Sequence, residues 1–147
     1  MLKSRLLRTV ALSAVVVVLG ANGAGASGTT KTFAIRATGV GIGGGLGLHT
    51  SGYAKGTISV NRVTDEVCYR ITDRGLGRVE AAHIHVGKAG VDGSVVVTLN
   101  VKAFNSKHPA CVKASAPVVR TIFKSPALFY FNVHTAAFPN GAVRAQL

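Results

Sequence analysis

Apolar side chains recur at every second position in several short runs of this chain, and that period restricts the fold more than any other feature. Thr32–Thr38 places Phe33, Ile35 and Ala37 on one face of an extended segment, whereas a helix would repeat apolar residues every three or four positions. Only Pro117–Lys124 is typical of a short helix, with a proline in its first turn. Further extended runs are expected at Tyr53–Val60, Val67–Thr72, Ala82–Val86, Ser94–Val101, Leu128–Thr135 and Ala142–Leu147.

Short strands at near-regular spacing, separated by turn-forming residues, are typical of β-sandwiches and barrels. The hexapeptide Asn61–Glu66 is expected to turn the first hairpin, and Asn105–Ala116 is expected to be a loop. The sequence therefore predicts an all-β, single-domain antiparallel β-sandwich or Greek-key barrel with at most one short helix.

The first residues have the organisation of a secretory signal peptide. Three basic residues precede the apolar run Val10–Gly20, and the small residues Ala24–Ala26 follow it. The apolar run is shorter than the roughly 20 residues that span a bilayer. We expect residues 1–26 to be cleaved and residues 27–147 to form one exported domain, secreted, extracellular or periplasmic, without a membrane span.

The charge of the expected mature chain is strongly positive. Residues 27–147 carry 14 basic and 5 acidic side chains, a formal charge of +9 with histidine neutral, and Asp92 is the last acid. Such a surface attracts anionic polymers, so we expect an unknown extracellular protein or an anionic envelope polymer as partner. Tryptophan is absent and the basic residues stand singly. Specific nucleic-acid binding is therefore not expected.

Cys68 and Cys111 are the two cysteines of the chain. In an oxidising compartment a single pair favours a disulfide. Two buried thiols and a two-cysteine zinc site are the alternatives. Neither cysteine has a ligand-type neighbour in sequence, which disfavours zinc.

The glycine-rich run Gly39–Gly47 contains a Gly-x-Gly-x-x-Gly pattern. A phosphate-binding glycine loop needs a helix N-terminus behind it. No helical pattern follows, so a dinucleotide site is excluded and a flexible loop is expected.

Two histidines occupy one face of a predicted strand in the segment AHIHVGKAG. His83 and His85 point to one side, while Ile84 and Val86 point to the other. Alternate residues of a strand lie about 6.5–7 Å apart, so the two rings can turn toward one ion. The apolar side is expected to face the core, and the other side carries two potential metal ligands.

Two later strands also carry polar side chains on one face. Tyr130, Asn132 and His134 alternate with apolar residues, and Arg144 and Gln146 do so in the last strand. If these faces adjoin that of the first two histidines, three imidazoles converge with the other side chains around them. Three neutral nitrogen ligands suit copper or zinc.

Three separated motifs resemble the CHRD (chordin) domain, which occurs in chordin and in many secreted microbial proteins. They are His-x-His-x-Gly at 83–87, Asn-x-His-Thr at 132–135 and Pro-x-Gly-x-x-Arg at 139–144. The resemblance extends from about Lys31 to Leu147, and the two cysteines look like the pair of the microbial members. Two departures are the glycine run, where a usually proline-bearing segment is expected, and Ala145, where the family usually has glycine.

The resemblance implies a secreted module and little about its activity. Chordin sequesters bone morphogenetic proteins, but that activity is not assigned to its CHRD modules and is not carried onto this chain. The histidine pattern is also similar to the copper strands of Cu/Zn superoxide dismutases. The bridging histidine and further zinc ligands of those enzymes have no counterpart between these strands.

Three hypotheses remain open. The first is a secreted binding or structural module in which the histidines, Asn132 and Arg144 form a hydrogen-bonded network. The second is a copper- or zinc-binding protein that uses His83, His85 and His134. The third is an enzyme, which is disfavoured because no nucleophile motif and no pair of carboxylates is visible.

Overall fold

The computed structural model describes residues 28–39 and 50–147, which contain eight strands and one α-helix. The predicted signal peptide and all but the first residue of the glycine run lie outside the described residues. Short 3-10 turns lie at Val101–Ala103 and Pro126–Leu128. The elements are β1 (Thr30–Thr38), β2 (Tyr53–Asn61), β3 (Glu66–Arg74), β4 (Val79–Val86), β5 (Val95–Leu99), β6 (Ala110–Lys113), α1 (Ala116–Lys124), β7 (Phe129–Thr135) and β8 (Phe138–Gln146).

All eight strands belong to one antiparallel sheet in the order β5-β4-β7-β8-β1-β2-β3-β6, which curls into a nearly closed barrel. The chain that follows β5 is bonded to β3. The Tyr69 hydroxyl accepts from Asn100 N at 2.8 Å and donates to Asn100 O at 3.1 Å, and Asn105 N donates to Ile71 O at 2.8 Å. The predicted all-β barrel class is confirmed.

The core lies on the inner side of this sheet, at the apolar positions of each alternating run. Phe131, Ile84 and Ile58 are fully buried there, and Val119 and Ile122 of α1 join the same cluster. Each such side chain contributes about 1.5–3 kcal/mol by leaving water. The period of two is therefore the alternation between the barrel interior and its outer surface.

Strand β6 corrects the expectation that Asn105–Ala116 is a loop throughout. The segment Ala110–Lys113 pairs with β3, and Cys111 lies directly opposite Cys68 in that pairing. A disulfide joins the two cysteines, with Cα atoms 3.9 Å apart, so the predicted bridge is confirmed. Four residues are too few to show a strand period, and it is the pairing with β3 that makes this segment a strand.

Helix α1 begins one residue before the predicted start and ends at the predicted residue, Lys124. It packs against β2. Within the described ranges a membrane-crossing helix is absent, because none combines the required length with the required hydropathy.

Candidate metal centre

The register of β4 and β7 brings the three histidines to one place on the outer side of the sheet. His83 lies opposite Asn132 and His85 opposite Tyr130, so the side chains at these positions share a face. The ring of His134 joins them from β7, with ring centroids 4.9 Å from His83 and 5.9 Å from His85. One ring nitrogen from each histidine lies within 4.8 Å of the other two.

Two of the three imidazoles have their tautomer fixed by a backbone carbonyl. The Nδ1 of His85 lies 2.9 Å from Gly93 O, and the Nδ1 of His134 lies 2.8 Å from Pro139 O. Because a carbonyl oxygen only accepts, each Nδ1 must carry the proton. In the neutral form of each ring the Nε2 atom then carries a free lone pair, and this is the form in which histidine binds metals.

One ring nitrogen of each histidine has no hydrogen-bond partner among the residues that the structure describes. The Nε2 atoms of His85 and His134 and the Nδ1 of His83 are all buried and unsatisfied. The Oδ1 of Asn132, opposite His83, is buried and unsatisfied as well. Four orphaned polar atoms on one patch are unusual, because buried polar groups are nearly always bonded.

Gly141 leaves the space that the Asn132 amide occupies. Its φ of +129° is one that side-chain-bearing residues rarely adopt. A Cβ at this position would lie 2.7 Å from Asn132 Nδ2 and 2.8 Å from Oδ1. The glycine therefore leaves room for the Asn132 amide on the strand position next to the histidines.

Arg144 holds the turn between β4 and β5 over this face. Its Nη2 donates to Lys88 O at 2.7 Å and to Val91 O at 2.9 Å, and its Nη1 pairs with Asp92 at 3.1 Å. The guanidinium carbon lies 3.3 Å from the centre of the Tyr130 ring, and the arginine side chain is 3% exposed. Since this turn leads to Gly93, Arg144 indirectly positions the carbonyl that orients His85.

Tyr130 and Gln146 bond to backbone groups of the same region. The Tyr130 hydroxyl accepts from Gly93 N at 3.2 Å, and its ring stacks on His85 with centroids 4.8 Å apart. Gln146 donates to the carbonyls of Gly87, Ala127 and Phe129. Among the described residues, then, these polar side chains bond to the backbone and to Asp92, and none of them bonds to a histidine nitrogen or to Asn132.

Burial is the main cause that lowers the pKa of His83 and of His85 below 6.5. For His83 the neighbouring His134 and His85 lower the pKa further. For His85 the hydrogen bond to Gly93 opposes the shift, His134 and Arg144 add to it, and Asp92 opposes it. Both rings are thereby kept neutral near physiological pH, which keeps their lone pairs available.

The metal-free protein is expected to lose stability as the pH falls below about 6.5. Unfolded His83 and His85 take up protons at a higher pH than the folded rings do. Acid therefore favours unfolding below the pKa of the unfolded rings, and above that pKa the two histidines cause no loss of stability. Urea unfolding at about pH 7.5 and about pH 5.5 measures the loss. The double variant His83→Gln/His85→Gln should lose less unfolding free energy between these two pH values than wild type does. The exposed control His108→Gln should lose as much as wild type. Equal losses in all three proteins would contradict the assignment.

The sequence alone identified the ligand-type side chains but not the groups that orient them. Gly93 and Pro139 act through their carbonyls and Asp92 through its pairing with Arg144. Pro139 and Gly141 belong to one of the motifs that carry the resemblance, which is the signal that pointed to them. Backbone carbonyls give no other trace in a sequence.

The comparison with protein families gives one match. The model of the CHRD domain matches residues 46–147, which include every residue of the candidate site. Searches of curated proteins and of solved structures found no match.

Proposed function

The chain belongs to the CHRD domain family, and we propose that it is an extracellular binding module that holds one copper or zinc ion between His83, His85 and His134. Two observations carry the proposal: each of the three histidines offers one ring nitrogen within 4.8 Å of the other two, and each has one buried ring nitrogen without a partner among the described residues. A structural or binding role suits the family, and the metal is the ligand that this particular face supports.

The cost of the orphaned atoms favours a cation over a purely structural network. A buried polar atom without a partner costs about 1–3 kcal/mol. Three nitrogens and the Asn132 oxygen incur that cost on one patch. The Nε2 atoms of His85 and His134 and the Oδ1 of Asn132 are acceptors, and the neutral His83 ring can adopt the tautomer in which its Nδ1 also accepts. A cation, or a cation with a bound water, would satisfy all four atoms together.

The donor set and its spacing suit a small transition-metal ion. Nitrogen bonds to zinc are about 2.0–2.1 Å long, which places the three nitrogens of one ion about 3.3–3.6 Å apart. The observed limit of 4.8 Å requires modest ring rotations. No carboxylate or thiolate takes part, and an all-imidazole set suits copper and zinc rather than calcium or magnesium.

Asn132 is placed to complete the coordination sphere indirectly. Three protein ligands leave a fourth position open, which water fills in such sites. The orphaned Oδ1 of Asn132 lies on the strand position opposite His83. We assign it the role of accepting a hydrogen bond from that water.

The proposal includes no catalytic step. Three of the five carboxylates of the described residues are engaged by other side chains: Asp92 pairs with Arg144, Glu66 with Lys113, and Asp73 bonds Asn105. Acid–base chemistry at the centre would depend on the ligand histidines themselves.

Metal binding is expected to raise the stability of wild type and to depend on the three histidines. Untagged protein of residues 27–147, stripped with a chelator, is titrated with Cu²⁺, Zn²⁺ or, under reductant, Cu⁺ while thermal unfolding is followed. At a free metal concentration 100 times Kd the gain is about 2.7 kcal/mol. His83→Ala and His134→Ala should lose this gain.

His108→Ala is the matched control, since His108 is exposed and distant in sequence from the cluster. Its response to metal should equal that of wild type. A wild type that retains no metal and shows no shift, or a His83→Ala protein that responds as wild type does, would overturn the proposal.

A further inference from the structure

Four cations share one exposed face of the barrel on β1, β2 and β3, strands that carry none of the three histidines. We call this surface the basic face. It is formed by Arg36, Lys55, Arg70 and Arg74, all of them exposed. In the strand pairing Arg36 lies opposite Lys55, and Arg74 opposite Tyr53. Arg36, Lys55 and Arg70 line a shallow groove of about 540 Å³, with Thr57 and Thr72 between them.

The cations of the basic face have no acidic partner among residues 28–39 and 50–147. The two ion pairs of that part of the chain are Lys113–Glu66 and Arg144–Asp92, at other places on the surface. Arg36 and Lys55 lie directly opposite each other on the neighbouring strands β1 and β2, and like charges in opposite positions destabilise a sheet. A bound anion would remove this repulsion.

Tyr53 restrains two of the four cations of the basic face. The guanidinium of Arg36 lies 4.8 Å, and the ammonium of Lys55 5.7 Å, from the centre of the Tyr53 ring. Such contacts restrain long side chains that are otherwise mobile. The positive charges are therefore partly ordered before a ligand arrives, which lowers the entropy cost of binding.

Gly56 contributes backbone to the lining of the groove. It pairs with Ile35 and Ile71, which are buried in the core, so this position belongs to the inner face of the sheet. Its φ is +153°, and a Cβ there would collide with the carbonyl oxygen of Arg70, so the close pairing of β2 with β3 requires glycine.

We propose that the basic face binds an acidic polysaccharide through its carboxylate or sulfate groups. An open groove lined by exposed cations gains little from one anion, because each exposed pair is worth at most about 1 kcal/mol. A polymer with repeated anions engages all four cations at once. The disulfide of this chain suits an oxidising compartment outside the cytosol, where polysaccharides are the abundant polyanions.

Two other polyanionic surfaces fit this face less well. Binding of single-stranded nucleic acid needs free aromatic faces for base stacking, but the Tyr53 ring is covered by Arg36 and Lys55. A lipid surface would be met by exposed apolar side chains next to the cations. The large exposed apolar side chains of the described residues, Val63, Val86, Val91, Val95 and Leu128, lie outside the groove.

The test uses metal-free protein of residues 27–147 and three probes, so that it is independent of the metal centre. Heparin supplies sulfate, polygalacturonate supplies carboxylate, and dextran is the neutral control. We expect binding to at least one acidic polymer, weakened by added salt, and no binding to dextran. The triple variant Arg36→Gln/Lys55→Gln/Arg70→Gln should bind about tenfold more weakly or worse.

The matched control is Lys102→Gln/Lys107→Gln/Lys124→Gln, which removes the same charge from exposed positions elsewhere. It should bind within about twofold of wild type. Equal losses in the two triple variants, or no binding of wild type to either acidic polymer, would overturn the proposal. Tighter binding to single-stranded DNA than to both polysaccharides would also overturn it, in favour of a nucleic-acid surface.

Discussion

The double variant Cys68→Ala/Cys111→Ala is expected to be less stable than wild type by about 4 kcal/mol. The bridge closes a loop of 43 residues, and removing it returns that loop's conformational entropy to the unfolded chain. The edge strand β6 has only four residues, so besides the bridge it is held to β3 by a short ladder and the Lys113–Glu66 ion pair. Urea unfolding followed by circular dichroism and by tyrosine fluorescence gives the difference in the free energy of unfolding. For a domain of this size, it corresponds to a loss on the order of 15 °C in melting temperature.

Reduction provides the matched control for this variant. A mild reductant should lower the stability of wild type toward that of the double variant and leave the double variant unchanged. Metal binding should survive the loss, because the three histidines lie on β4 and β7 and neither β3 nor β6 contributes a ligand. A difference below about 1 kcal/mol would mean that folding contacts alone fix β6.

The outward grouping of the histidines was predictable because strand parity is a local property. His83 and His85 must share a face in any strand, and so must Asn132 and His134. The apolar residues between them fix which face is outward, since Ile84 and Phe131 are fully buried. What parity does not give is that β4 pairs with β7, which depends on contacts between residues about 50 positions apart in sequence.

The parts that were not predictable depend on long-range pairing or on backbone groups. β6 became a strand through its pairing with β3, not through its own pattern. The orientation of His85 depends on the carbonyl of Gly93, and that of His134 on the carbonyl of Pro139. A residue type does not reveal where its carbonyl points, so these contacts appear only in three dimensions.

Residues of the motifs that carry the family resemblance lie together at the candidate metal centre, and each has a contact there that explains its residue type. The Pro139 carbonyl fixes the tautomer of His134, Gly141 makes room for Asn132, and Arg144 donates to a carbonyl of the turn that follows β4. Each of these positions would also serve a barrel without metal. Their convergence on three unpaired nitrogens is what a metal centre with supporting contacts requires.

Arg144→Met is expected to lower the free energy of unfolding by about 3 kcal/mol. The methionine preserves apolar contact with Tyr130 but removes the donors to Lys88 O and Val91 O and the cation over the ring. Both carbonyls belong to exposed residues, so water replaces part of the loss. The exposed Arg120→Met is the matched control and should differ from wild type by less than about 0.5 kcal/mol. Chemical unfolding of the metal-free proteins measures both values.

The same variant tests whether the turn positions the metal ligands. If Gly93 orients His85 because Arg144 holds the turn, metal affinity should fall about 10- to 100-fold, as it does when supporting contacts of metal ligands are lost. Competition with a chelator of known affinity measures it under conditions where the variant is folded. Arg144→Lys retains the positive charge but cannot donate two parallel hydrogen bonds as a guanidinium does. Its metal affinity should lie between those of wild type and Arg144→Met. A variant with the expected loss of stability but wild-type affinity would show that the turn stabilises the barrel without orienting His85. The position of Gly93 would then depend on other contacts, among them the bond from Gly93 N to the Tyr130 hydroxyl and that from Val86 N to Ser94 O.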